Sequence, residues 1–158
     1  MTISTTTVPR QLEDGDDVET DFTIDFEYND DTALISVIHI GTDGTETAWT
    51  LDNQYSISSD TVVCDTAPAT NEQICIYRNT PRLQSVVFPA NRSYSPAVLE
   101  AVLDKLTLML QELAEKADRC LHLAITSDPD IDTELPTPVA DKALIWDDDA
   151  EAIEYTDP

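Results

Sequence analysis

Asp21-Phe-Thr-Ile-Asp-Phe-Glu-Tyr28 is the stretch on which the reading of the fold turns. Phe22, Ile24 and Phe26 alternate with Asp21, Thr23 and Asp25, the period of a half-buried β-strand. A strand with one apolar face needs others beside it, and the following residues offer them. Asn29-Asp30-Asp31 reads as a turn. Ala33 to Ile40 is β-rich and nearly continuous, as a more central strand is. Asp43-Gly44 is a hairpin-turn signal, and Thr45 to Leu51 returns with Trp49 and Leu51 on one face. Tyr55 and Ile57 begin another short strand, Thr61 to Cys64 follows, and Ala67 to Thr70 forms a loop. Gln73 to Arg78 closes the series, and Gln84 to Phe88 adds a last short segment. Short strands with turns at this spacing predict a small antiparallel β-sandwich over residues 21–92.

A helix is expected next, over residues 93–122. Ser95 is a suitable N-cap and Pro96 a favoured first helical residue. Leu99, Leu103, Leu106, Leu110, Leu113, Ala117 and Cys120 then recur in alternating steps of four and three, a heptad seam. Val102 and Met109 widen it, while Lys105, Gln111, Glu112, Glu115 and Lys116 lie off it. At 1.5 Å per residue such a helix is roughly 39 Å long, more than a small sandwich needs as a lid. Five leucines at about 2 kcal/mol each give roughly 10 kcal/mol per chain for association before entropy costs. Two uses of the seam are open: self-association, or packing on the chain's own sheet. The expected fold class is therefore α+β, a small antiparallel sandwich followed by a long C-terminal oligomerising helix and extended tails.

The two ends differ from the middle. Residues 1–20 are polar and acidic and read as a flexible arm, with Val8, Leu12 and Val18 as apolar points that could grip a partner. Residues 123–158 are punctuated by Pro129, Pro136 and Pro138 and read as a tether. A short apolar module follows: strand, acidic turn, strand, with Leu144, Trp146, Ile153 and Tyr155 as further partner-binding candidates.

Charge excludes several function classes. Asp and Glu number 32 against 8 Lys and Arg, a net charge of -24. Nucleic acid and anionic membranes both repel such a chain. No apolar run is long enough to span a bilayer, and no signal-peptide core opens the sequence, so folding in the cytoplasm of the producing cell is expected. Cys64, Cys75 and Cys120 form no CxxC pair. Cys64 and Cys75 flank the loop at Ala69 symmetrically, and a regular hairpin there makes them facing, reduced thiols.

Catalytic and metal patterns are sparse. His39 and His122 fall on different elements, and no GxSxG, HxE or HExxH occurs. Asp128, Asp130, Asp132 and Glu134 imitate the start of a calcium loop. However, Thr133 replaces the required Gly and Val139 the closing Glu, so a solvated linker is the better reading. No catalytic, cofactor-binding or metal-binding residue is assigned.

Four stretches, in order and spacing, resemble the N-terminal anchoring domain of podovirus-type bacteriophage tail fibres. They are Phe22 to Tyr28, Asp52 to Ile57, Ile76-Tyr-Arg-Asn-Thr-Pro81 with Gln84, and Tyr94 to Gln111. Lys142 to Trp146 is similar to short modules that follow this domain in such fibres. The resemblance implies a homotrimeric virion structural protein, without catalytic residues or cofactors, assembled in the bacterial cytoplasm. It would join the tail tube, adaptor or nozzle proteins to a distal fibre or spike and so support host attachment. Family fibres continue into a shaft and tip, so either a short adaptor or the start of a longer fibre is expected here. The alternatives are an acidic DNA-mimic inhibitor, suggested by the charge, and the N-terminal fragment of a polysaccharide-degrading tailspike.

Overall fold

The computed structural model of the chain describes residue 3 and residues 8–29, 31–84, 86–87, 95–120, 122–123, 126–128, 130–131, 133–137, 139–149 and 151–156. Asp30 of the expected turn, Ser85 and Phe88 of the last β segment, Tyr94, Leu121 and Asp132 lie outside these residues. The chain divides into two compact units, Met1–Cys120 and Leu121–Pro158.

In the first unit, β1 (Arg10–Asp14), β3 (Ile35–Ile40), β4 (Glu46–Ala48) and β7 (Gln73–Arg78) form an antiparallel sheet in the order β1-β7-β3-β4. A second antiparallel sheet orders β2 (Asp21–Thr23), β6 (Thr61–Cys64) and β5 (Tyr55–Ser58) as β2-β6-β5. Their inner faces meet in one core: Ile35 and Val37 from β3, Ile74 and Ile76 from β7, Phe22, Tyr55, Val62 and Cys64 from the second sheet. Such alternating burial is the period-two expectation of a pleated strand. It continues past the hydrogen-bonded part of the opening stretch. Strand β2 ends at Thr23, yet Ile24, Phe26 and Tyr28 remain buried as alternate residues. Here Ile24 N donates to Asp60 O at 2.7 Å, and side chains make further bonds. Gln11 of β1 donates to Thr23 O (2.7 Å) and accepts from Asp25 N (2.8 Å), stitching one sheet to the segment leaving the other. Tyr28 anchors its hydroxyl on the Asp60 carboxylate at 2.7 Å.

The fold differs from the expected sandwich with a long oligomerising helix and extended tails: among the described residues it is mostly β, in three small antiparallel sheets with a single α-helix. The helix, α1, covers only Pro96–Asp118, 23 residues, and docks on its own unit. Part of the acidic arm is a strand, Arg10–Asp14, which pairs with residues 73–77 of β7. Gly15 seats the end of this strand: a Cβ there would collide with the Pro68 and Ala69 carbonyl oxygens, while its N–H donates to Glu72 O at 2.9 Å. The expected C-terminal tail holds the third sheet, β8 (Ala143–Trp146) against β9 (Ile153–Thr156). Local propensity missed β1 because its apolar content is one leucine; the pairing partner, not the sequence of the arm, orders it.

Smaller departures have similar causes. Ala33 and Leu34 belong to a 3-10 turn, Thr32–Leu34, that precedes β3 and is capped by the Asp31 carboxylate. The returning strand after Asp43-Gly44 is short, Glu46–Ala48, although the turn itself forms, with Gly44 at φ 79°. Described residues of the 84–88 segment carry no strand. Cys64 and Cys75 do not face each other: β6 and β7 lie in different sheets, so the connection at Ala69 crosses between sheets rather than closing a hairpin. Cys64 sits opposite Tyr55, and Cys75 between Leu12 and Ile38. None of the three cysteines is in a disulfide. Burial pushes the Cys64 thiol up to about 11, and that of Cys75 upward for the same reason.

These placements predict the order of thiol reactivity. In the native protein Cys120 should react with a thiol reagent first and Cys64 last, because thiolate is the reactive form and Cys64 is both buried and hardest to ionise. Denaturation without reductant should release all three. Fast native reaction at Cys64, or a missing thiol after denaturation, would refute the placement.

Candidate interaction surface

The surface of interest is built where β7 ends and α1 begins to cover the sheet. Arg78, the last residue of β7, points inward with Ile74 and Ile76 and is only 3 % exposed. A buried guanidinium costs several kcal/mol unless its donors are satisfied. Here Nε donates to Glu112 Oε1 at 2.9 Å, Nη2 to Leu108 O at 3.0 Å and Gln111 Oε1 at 3.1 Å, and Nη1 to Glu27 O. Glu112 also accepts from Thr80 N (3.2 Å) and Thr80 Oγ1 (2.5 Å). One cation therefore joins the sheet, the segment before β3 and the helix. Beyond it, the chain fastens to α1 again: Ile3 N donates to Asp104 Oδ1 at 3.2 Å.

This bonding selects the face of α1 that turns inward. The buried residues of the helix are Asp104 and Leu108, and Gln111, Glu112 and Glu115 continue that side. The expected seam points the other way. Leu99, Leu103, Leu106, Leu110 and Leu113 are between 48 and 66 % exposed, and Ala117 is exposed as well. The seam is therefore not packed on the chain's own sheet, which leaves self-association as the use of it that the exposed leucines still allow. Arg82, Leu106, Met109, Leu110, Leu113 and Lys116 line a shallow groove on this side.

A larger cleft, about 380 Å³, opens between the C-terminal half of α1 and the outer face of the four-stranded sheet. The register places Leu12, Cys75, Ile38 and Ala48 opposite one another across β1, β7, β3 and β4. Leu12 is half exposed, and Ile38, Cys75 and Tyr77 are partly so. Charged groups form the rim. Arg10 from β1 and Arg119 from the end of α1 share the Glu115 carboxylate, Arg119 at 2.7 and 3.0 Å. Partial burial alone raises the Glu115 pKa, but the hydrogen bonds from Arg119 and Arg10 outweigh it and hold the carboxyl below its ordinary range. The pair's stabilisation is therefore complete at neutral pH and is lost as pH falls through that lowered value.

Of the candidates read from the sequence, the structure brings only Leu12 into the cleft. Val8 and Val18 are exposed but do not line it. In the C-terminal unit, Leu144 and Trp146 of β8 are exposed, while Ile153 and Tyr155 of β9 are partly buried and Tyr155 donates to Pro136 O at 3.1 Å. Arg10, Ile38, Glu115, Lys116 and Arg119 were not singled out by sequence reasoning. The one signal was scarcity: in so acidic a chain, any cluster of cations calls for explanation. His39 stacks on Trp49 at 5.1 Å and pairs with Glu72 at 3.0 Å, a role at the rim of the core. Among the described residues, no cluster of three or more His, Cys, Asp or Glu side chains could hold a metal ion. Nor is any helix among them long and apolar enough to cross a membrane. No protein-family model matches the chain, and no curated protein matches it significantly.

A short mutational series separates the two faces of α1. Leu108→Ala should destabilise the first unit by about 3 kcal/mol. Arg78→Met should cost about as much, because it leaves Glu112 without its cation. Leu106→Gln and Leu110→Gln should each change stability by less than about 0.5 kcal/mol, being exposed. Urea unfolding measures all four; a loss in the outer-face variants as large as that of Leu108→Ala would reverse the assignment.

Proposed function

We propose that the chain is a virion structural protein, an anchor or adaptor joining a bacteriophage tail to a fibre or spike. The observation that carries this reading is the ordered resemblance of its motifs to tail-fibre anchoring domains. Its support from the fold is where those motifs lie. Phe22 to Tyr28 supplies four buried core residues. The 52–57 stretch begins the second sheet's edge strand and contributes Tyr55 to the core. Ile76 to Pro81 contains Arg78 and Thr80, which bind the helix, and 94–111 spans most of that helix. The resembling residues are thus those that hold the module together.

In this reading the protein works as a homotrimer in the tail of the virion. One end contacts tail tube, adaptor or nozzle proteins, the other a distal fibre or spike. Exposed Val8 and Val18 on the first unit, and Leu144 and Trp146 on the second, are the apolar groups offered to those partners. Burial of such residues in an interface contributes binding energy without chemistry.

Purified particles carrying this gene test the proposal. The chain should co-purify with tail proteins, yield trimers on cross-linking, and label the tail under immuno-electron microscopy. Val18→Asp should reduce its incorporation, and Trp146→Asp should reduce attachment of the distal component. Absence from purified particles would sink the reading; competition with DNA for a nuclease would favour the acidic-inhibitor alternative.

A further inference from the structure

We infer that the cleft between α1 and the outer face of the four-stranded sheet is a docking site for an acidic, apolar segment of a partner protein. The inference concerns this chain's own surface and stands apart from the virion reading.

Charge allocation carries it. The chain has 8 Lys and Arg. Arg10, Arg78, Lys116 and Arg119, half of them, line this one cleft. Arg78 is consumed by its bonds to the helix and the Glu27 carbonyl. Arg10 and Arg119 divide a single carboxylate, that of Glu115. The Lys116 ammonium has no partner among the described residues. Against these four stand Glu46, Glu112 and Glu115, the acids that line the cleft among the described residues. The site is therefore locally positive in a chain with a net charge of -24.

The walls define the rest of the occupant. Leu12, Ile38 and Ile40 offer an aliphatic floor beneath the cationic rim. At about 380 Å³ the cleft lies at the small end of the range for binding sites, about 300–1,000 Å³. That suits a few large apolar side chains, with carboxylates beside them reaching Lys116, Arg119 and Arg10. Bidentate pairing to arginine gives the carboxylates geometric as well as electrostatic preference.

Distance decides between local attraction and global repulsion. At about 0.15 M salt the Debye length is about 8 Å, so charges across the molecule are screened while contacts at the rim are not. At about 0.01 M salt it is about 30 Å, and the whole chain repels an acidic partner. Affinity should therefore rise between those two salt concentrations, the opposite of ordinary charge-driven binding.

The test uses the full chain and two labelled peptides. One carries two leucines and a tryptophan followed by a run of glutamates; its twin has lysines in place of the glutamates. Fluorescence anisotropy at about 0.15 M salt should show saturable binding of the first, at least about tenfold tighter than the second. Lys116→Glu, an exposed change that leaves the Arg78 bonds intact, should weaken it about tenfold or more, and Leu12→Ser should weaken it too. Sedimentation should give wild type and Lys116→Glu the same assembly state. Tighter binding of the lysine peptide, or no effect of Lys116→Glu, overturns the inference. A changed assembly state in Lys116→Glu also overturns it, because the cleft would then lie between copies of this chain.

Discussion

The guanidinium of Arg78 is the constraint from which the rest of the first unit follows. It lies at the end of the central strand β7, almost without exposure, where an unpaired charge costs several kcal/mol. Its donors must be met, and acceptors come from three parts of the chain: Glu27 O, then Leu108 O with Gln111, and the Glu112 carboxylate. Removing any one of these parts leaves a buried donor orphaned. The sheet end, the segment entering β3 and the helix are therefore ordered together, by a polar joint rather than by an extended apolar seam. Glu112 tightens the joint by accepting from both the amide and the hydroxyl of Thr80.

That joint accounts for a helix whose most apolar stripe faces away from its own core. Ridge packing driven by area would turn Leu99, Leu103, Leu106, Leu110 and Leu113 inward. The bonds to Arg78 instead require Leu108, Gln111 and Glu112 on the inner side, and these lie on a different angular sector of the same helix. A few strong polar bonds with fixed geometry outrank a larger but non-directional apolar term. The same orientation brings Glu115, Lys116 and Arg119 over the sheet's outer face, so the cleft is a by-product of the joint.

The acidic composition acts at a second level. With four acids for every base, most carboxylates meet water, and each cation is a scarce group. Three of them, Arg10, Arg78 and Arg119, bind the two glutamates of one helix face, Glu112 and Glu115. Concentrating cations there fastens the first strand and the helix terminus at the cleft rim. Besides the Arg10–Glu115 bond, β1 rests on its ladder to β7, the Gln11 stitch and the Gln73–Asp14 side-chain bond.

What the sequence by itself determined is local and periodic. The alternation Phe22, Ile24, Phe26 foretold burial of all three, the Asp43-Gly44 turn was readable from its residue types, and Pro96 marked the start of the helix. Even the small hairpin of Ala143–Trp146 and Ile153–Thr156 followed from an acidic turn between two apolar runs. Only the tertiary structure decided which partners those elements take. It added β1 to the edge of a sheet from a stretch with one leucine, and it sent Cys64 and Cys75 to different sheets. It also faced the leucine stripe outward and gathered Arg10, Lys116 and Arg119 around one cleft. The reason is physical: periodicity reports which face of an element is apolar, but sheet pairing and the satisfaction of a buried charge join residues far apart in the chain. Arg78 and Glu112 are 34 positions apart, and Arg10 and Glu115 are 105. No local pattern encodes a bond of that span.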